Sequence, residues 1–316
     1  MQKALISGAT GFVGANLTRR LLREEYEVHA IVRSAGTHWR IAELASAPNF
    51  FLHRADLRDA DEVSNVVKKV RPQHIAHLAA AGMYEGKTGS DQELFQTNVL
   101  GLVNLLHAAK DIPYESFINT GSSSEYSITD TPMRENDPCK PVNVYGISKL
   151  AATQYASIHA KEFGKPIITL RLFSPYGPYD FGGRFIAYAM KQSLRGEALQ
   201  VGNPDSRRDF VYVEDVVDAY MNAFGYAQKF SGEIYNIGSG TETTIENAVQ
   251  EVQRACGSHA EVIWGNSGAF RPGESPRWQA DSMKAKRDLS WEPETNFMDG
   301  LEKTAKWFKI NASFYE

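Results

Sequence analysis

The chain has 316 residues, of which 42% are hydrophobic and 23% charged, and its formal net charge is −4. This is the composition of a folded globular protein and excludes a disordered one, while the small charge gives no electrostatic case for nucleic acid or an anionic membrane as a partner. At roughly 150 residues per domain, the length predicts two domains or one elaborated domain.

The opening stretch "MQKALISGAT" runs straight into a strand, so no secretory signal is expected. No apolar run approaches the ~20 residues that a membrane helix needs. Cys139 and Cys256 carry no pairing motif, and the histidines show no metal-ligand spacing. A cytoplasmic, thiol-reduced protein without a bound metal is the expectation.

Lys3 to Gly8 reads as a short buried strand entering a glycine turn. A helix follows, with Val13, Leu17, Leu21 and Leu22 on one stripe. "EVHAIVR" and "NFFLHRADL" are the second and third strands, and "VSNVVKKVRP" is a helix stopped by Pro72. "HIAHLAA" is the fourth strand, "TNVLGLVNLLHAAKD" an amphipathic helix and "SFINTG" the fifth strand. A long helix from Tyr145 ends at Gly164, and "PIITLRLF" is the sixth strand. Strands that alternate with helices, and that lack polar alternation, predict an α/β fold with a buried parallel sheet.

After Phe173 the rhythm changes to turn-rich "SPYGPYDFGGR" and the helix "FIAYAMKQSLRGE". "RRDFVYVEDVVDAYMNAF" and "GEIYNIGSG" are expected to return to the sheet. The division predicted is a dinucleotide-binding domain over 1–173 and 207–238, with a smaller, discontinuous lobe over 174–206 and 239–316. Such a lobe would cover the carboxyl ends of the strands, where open α/β sheets bind ligands.

"GATGFVG" places Gly8, Gly11 and Gly14 between the first strand and first helix, around Phe12 and Val13. Glycines there allow a tight turn and let backbone N–H groups approach a pyrophosphate at the helix N-terminus. An NAD site usually presents an acidic residue at the end of the second strand, but this chain has Arg33, with Ser34 beside it and Arg40 nearby. An arginine suits a 2′-phosphate, so NADP(H) is the preferred cofactor, with NAD(H) the alternative if Arg33 only faces solvent. Asp56 is a candidate acceptor for the adenine amine, or a surface cap.

"YGISK" puts Tyr145 and Lys149 on one face of a helix. An ammonium near a phenol favours the phenolate and makes Tyr145 a usable general acid or base near neutral pH.

With "GATGFVG", "ADL", "HLAA", "TNVLG", the serine run, "YGISK", "RRDFVYVEDV" and "RPGE", the chain resembles the extended short-chain dehydrogenase/reductase family over nearly its whole length. The resemblance implies a Rossmann domain, with Leu57, Leu78, Ala79 and Ala80 along the cofactor and a C-terminal lobe that binds a nucleotide-diphosphate sugar. It implies that Lys149 contacts the nicotinamide ribose and that Tyr145 moves the proton. A Ser or Thr ahead of the tyrosine would hold the reacting oxygen. It also implies a homodimer through the helices of Thr97–Lys110 and Tyr145–Phe163.

In "NTGSSSEYS", a gapless register between Phe117 and Tyr126 puts Ser122 at the catalytic Ser/Thr position. Ser123 and Ser124 then fall where the family's 4,6-dehydratases carry Asp and Glu. Hydroxyls of ordinary pKa replace such an acid–base pair poorly. On an extended strand end Glu125 would point to the other side. A bulge would instead make Ser123 catalytic and Glu125 an active carboxylate. On the substrate side, the resemblance places Arg208 and Arg271 on the diphosphate, a task their forked donors suit. Ser123 is a further substrate contact, as is Ser174, which stands where many relatives have Asn. Met83, Tyr84 and Tyr179 are candidate sugar-pocket walls, and Asp215 a structural cap.

The preferred activity is NADPH-dependent reduction of a keto group, at carbon 4, of a nucleotide-activated deoxysugar. A 4-epimerase with tightly held NAD(P) is the alternative. A 4,6-dehydratase ranks third, and a non-catalytic nucleotide sensor is the reading from a different class.

Overall fold

The protein is described from a computed structural model, over residues 1–33, 38–82, 90–265 and 277–315. In chain order the strands are β1 (Lys3–Ser7), β2 (Glu27–Val32), β3 (Phe50–Arg54), β4 (His74–His77), β5 (Ser116–Ser122) and β6 (Ile167–Leu172). They continue as β7 (Ser174–Tyr176), β8 (Leu199–Val201), β9 (Arg207–Tyr212), β10 (Ile234–Ile237), β11 (Glu242–Thr244) and β12 (Val262–Trp264). The helices are α1 (Phe12–Arg23), α2 (Ala60–Val70), α3 (Asp91–Phe95), α4 (Gly101–Ala109) and α5 (Val144–Phe163). They continue as α6 (Phe185–Arg195), α7 (Val213–Tyr226), α8 (Ile245–Cys256), α9 (Met283–Leu289) and α10 (Phe297–Ile310).

Seven strands form one parallel sheet in the order β3-β2-β1-β4-β5-β6-β10. This is a doubly wound Rossmann arrangement, with the order reversing between β1 and β4. Because side chains alternate along a strand, Ala4 and Ile6 enter one apolar core while Leu5 enters the other. All six residues of β6 are buried, as expected for a strand covered on both faces. Among the described residues no helix is long and apolar enough to cross a membrane.

Local chemistry sets the helix ends near the site. Asn143 caps α5 by accepting from the Gly146 N–H at 2.8 Å, and Gly164 ends the helix in the left-handed region at φ 59°. The helix expected over 97–111 is longer at its start and not uniform. It begins with α3 after Ser90, widens into a π turn over Gln96–Leu100, and continues as α4.

One expectation is corrected. The strand of "RRDFVY", β9, does not join the main sheet but pairs with β7 and β11 in a separate three-stranded sheet. The helix behind it, α7, supplies Val216, Val217, Tyr220 and Phe224 to the core beneath the main sheet. Exposed Arg207 and half-buried Arg208 at the start of β9 suit a small sheet open to solvent at that end better than a strand covered on both faces. The small sheet packs its own core, with Tyr176 and Phe210 against Met190, Val249, Leu301 and Phe308.

Where β5 ends, the chain turns around a buried ion pair. Arg171 on β6 donates from Nε to Glu125 Oε2 at 2.7 Å, and both side chains are shut off from solvent. The other carboxylate oxygen accepts from the Ser122 N–H at 2.7 Å and from Thr153 on α5 at 3.0 Å. Arg171 also donates to Tyr126, which in turn donates to Asn236 on β10. Removing one partner of such a pair leaves a buried charge uncompensated. Glu125→Ala should therefore lower the unfolding free energy by about 3–5 kcal/mol in a urea titration. A loss smaller than about 1 kcal/mol, the scale of an exposed pair, would contradict this.

Candidate active site

The turn between β1 and α1 is built by contacts that only glycine allows. Gly8 has φ +81°, and a Cβ there would sit 2.5 Å from the Ala79 nitrogen. A Cβ on Gly14 would sit 2.1 Å from the Gly8 carbonyl oxygen. The Gly11 N–H closes the turn on the Gly8 carbonyl at 2.9 Å. Helix α1 then starts with no side-chain cap on its N-terminus, so its first N–H groups face the turn. This cradle fits the pyrophosphate of a dinucleotide.

Phe12 and Val13 line the same cleft as the three glycines, as does Leu78 from the end of β4. Ala79 abuts Gly8, and Ala80 is exposed beyond it. The Leu57 side chain is buried in the core against Gly101. Arg33 at the end of β2 is an exposed cation, 4.0 Å from Glu93. The Asp56 carboxylate is held by the Arg58 guanidinium, whose hydrogen bonds keep it below the usual carboxylate range. Arg40 donates to the Tyr179 carbonyl at 2.7 Å and lies at 3.4 Å from the Thr10 carbonyl, bracing the glycine turn.

A cleft of about 310 Å³ joins this turn to the serine run, Tyr145 and the small lobe. Ser122 is extended, and its hydroxyl accepts from the Ser124 N–H at 3.1 Å, starting a single 3-10 turn over Ser123–Glu125. The turn sends Glu125 back into the core, while Ser122, Ser123 and Ser124 line the cleft. The strand does not bulge here, so the alternative that would turn Glu125 into the cleft has no support in the fold. Gly146 lets α5 approach closely, since a Cβ there would lie 2.2 Å from the Ser124 carbonyl oxygen. Tyr145, its neighbour, faces the same cleft.

Lys149 is buried one turn further along α5, and its Nζ donates to the Thr120 carbonyl. Burial lowers its pKa to about 8, against the charge of Glu125, which favours the ammonium. The sequence reading gave Asn98 no role, though it lies in the "TNVLG" motif. Asn98 sits in the π turn, accepts from the Ala81 N–H at 2.8 Å and donates to Ser148 at 2.9 Å. Ser148 donates to the Tyr145 carbonyl at 2.7 Å, so Asn98 braces the turn of α5 that carries Tyr145. Another unassigned polar pair is Ser7 and His77, 2.7 Å apart under the cofactor turn. Full burial pushes the His77 pKa down to about 3, so the ring is neutral.

On the lobe side Ser174 and Arg208 line the cleft, and Arg208 donates to the Arg207 carbonyl at 2.8 Å. Arg271, Ser34, Met83 and Tyr84 lie outside the described residues. Two residues that the sequence reading passed over also face the cleft, Arg184 and Trp278. Arg184 is fixed by Asp180 at 3.0 Å and lies 5.4 Å from the Phe12 ring, spanning from the lobe to the cofactor turn. Its only sequence signal was its place just after a glycine pair. Tyr179 is elsewhere, under the Arg19 guanidinium and against Trp307. Asp215 accepts from the N–H groups of Glu294 and Thr295, a structural tether. Among the described residues no carboxylate lines the cleft and no group of side chains is arranged to hold a metal.

Known proteins match this arrangement over its whole length. The dTDP-glucose 4,6-dehydratase of Neisseria meningitidis serogroup B is 28% identical, over 100% of this chain and 96% of its own. The UDP-glucose 4-epimerase of Thermotoga maritima, solved with UDP-glucose, superposes with a TM-score of 0.89 at 25% identity, covering 98% of this chain and 100% of that one. The UDP-glucuronic acid 4-epimerase of Bacillus cereus, solved with UDP-glucuronic acid and NAD, superposes at 0.88 with 28% identity, covering 98% and 99%. The profile of the GDP-mannose 4,6 dehydratase family matches residues 5–304, and the chain belongs to that family, within the nucleotide-sugar group of the extended short-chain dehydrogenases/reductases.

Proposed function

We propose that the protein is an oxidoreductase acting at carbon 4 of a nucleotide-diphosphate sugar, reducing a 4-keto-6-deoxysugar with NADPH and not eliminating water. The observation that carries this reading is the serine run: Ser122 is followed by Ser123 and Ser124, and no carboxylate among the described residues lines the cleft. Eliminating water needs a base for a carbon-bound proton and an acid for the departing hydroxyl. Reduction needs one proton at one oxygen. Tyr145 gives that proton, the Lys149 ammonium stabilises the phenolate left behind, and the Ser122 hydroxyl holds the substrate oxygen. A reduced nicotinamide held at the glycine turn would supply the hydride. Arg208, with Arg271, binds the diphosphate. Arg33 supports NADPH, since an exposed guanidinium at the end of β2 can pair with a 2′-phosphate.

A second reading, 4-epimerisation, is favoured by the superposition on two 4-epimerases, one of them holding NAD. It uses the same Ser122, Tyr145 and Lys149, with the proton first taken and then returned. The exposed apolar residues Ile147 and Ile158 on α5, with Phe95 and Leu100 on the adjoining helical run, support a homodimer through this face.

Incubation with a panel of nucleotide-sugars and their 4-keto-6-deoxy derivatives should consume NADPH in step with a ketosugar. Isomer formation without net cofactor change would replace reduction by epimerisation. Tyr145→Phe should lower turnover about 10²–10⁴-fold, as loss of a general acid does, whereas a nucleotide sensor would keep its ligand response. For the cofactor, Arg33→Ala should raise the KM for NADPH roughly tenfold, the worth of a charged hydrogen bond, and leave that for NADH in place. Equal KM values for the two cofactors in the unmodified protein would remove the preference. Light scattering should report a dimer, and Ile158→Glu should yield monomers; an unmodified protein that is already monomeric would refute the proposed interface.

A further inference from the structure

Tyr220 on α7 is fully buried, and its phenol oxygen lies 2.6 Å from the Thr120 hydroxyl. Among the described residues that hydroxyl is its one hydrogen-bond partner. Phenylalanine would fill the same space, so packing alone does not account for the oxygen. Thr120 is placed between two functional neighbours. On β5 its side chain shares a face with Ser122, while Gly121 between them faces the Glu125–Arg171 pair. Its carbonyl accepts from the Lys149 ammonium. One residue is thus held by Tyr220 at its side chain and holds Lys149 at its backbone. Burial raises the pKa of Tyr220, and charge on Tyr145 raises it further. Tyr220 therefore stays a neutral hydroxyl wherever Tyr145 would work.

We propose that Tyr220 is a positioning residue for Tyr145: by anchoring Thr120 it fixes the carbonyl that carries the Lys149 ammonium, and so sets how strongly that ammonium stabilises the Tyr145 phenolate. The inference rests on the reading of Tyr145 as an acid–base group. Without the phenol hydroxyl the Thr120 side chain is free to rotate, its carbonyl loosens, and Lys149 spends less time where it favours the phenolate.

Ultraviolet titration of the phenolate band tests this without any substrate. Subtracting the Tyr145→Phe curve from that of the unmodified protein isolates Tyr145. The reading of Tyr145 requires its pKa to lie below the ordinary tyrosine value of about 10. Repeating the pair in a Tyr220→Phe background should place Tyr145 about one pH unit higher, the size expected from losing one buried hydrogen bond. Thr120→Val should give the same rise, and the double variant no more, because both changes break one contact. Thr120→Ser keeps the hydroxyl and should keep the lower value, which serves as the test if Tyr220→Phe folds poorly. An ordinary value in the unmodified protein would overturn the acid–base reading itself. A lowered value that neither Tyr220→Phe nor Thr120→Val moves would overturn the role of Tyr220 and leave that reading standing.

Discussion

The buried Glu125–Arg171 pair is the interaction on which the rest of the site depends. Both charges lie away from water, a placement tolerated only when their remaining donors and acceptors are filled. They are filled from every element that meets there. Ser122 on β5, Thr153 on α5 and Tyr126 after the 3-10 turn all bond to the pair, and Nη2 of Arg171 reaches the Cys139 sulfur at 3.3 Å. Gly121 is small because a Cβ would come within 2.7 Å of Glu125 and 2.9 Å of Arg171. The pair therefore pins the end of β5 to β6 and to the helix that carries Tyr145 and Lys149.

Two chemical consequences follow from this placement. The backbone at Ser122 is held by Glu125, so its hydroxyl is presented at the cleft while the next residues curl into a turn. The same carboxylate also favours the charged form of Lys149, against the burial that lowers that pKa to about 8. A residue that makes no contact with the cleft thus helps to set the charge of the lysine one turn from Tyr145. Asn98 acts comparably from the other side, through Ser148 and the main chain of Tyr145. The turn of α5 that carries Tyr145 is braced by buried polar groups at each flank, which suits a helix whose buried face carries a lysine.

Much of this was legible in the chain. The strands of the main sheet announce themselves as short apolar runs between helical stripes, and the glycine turn by its place after the first strand. The pairing of Tyr145 with Lys149 is a matter of helical spacing. What escaped were contacts between residues far apart in sequence. That Glu125 turns away from the serines follows from the strand, but only Arg171, 46 positions away, shows where its charge is spent. Tyr220 is an unremarked apolar position on a helix until Thr120, 100 positions earlier, is seen against it. "RRDFVY" has the composition of a strand, but composition does not say which sheet it joins. Its partners are the three-residue strands β7 and β11, too short for any pattern to reveal.

The proposal of a reductase rather than a dehydratase turns on two side chains of this chain, Ser123 and Ser124, and not on the scaffold. Hydride and proton transfer at a single carbon needs a cofactor cradle, one activated phenol and one hydroxyl. The glycine turn, Tyr145 and Ser122 line one cleft, with Lys149 buried a turn further along the helix of Tyr145, the set that the proposed chemistry calls for. Elimination asks for proton transfer at two further atoms, and a serine hydroxyl neither accepts a proton readily from carbon nor releases one readily to a leaving group near neutral pH. A scaffold with serines at these two positions would, on the proposed reading, support the first chemistry better than the second. Glu125 does not restore it, because bringing that carboxylate into the cleft would strand Arg171 as an unpaired buried cation. The ion pair that builds the site thus also narrows what the site can do.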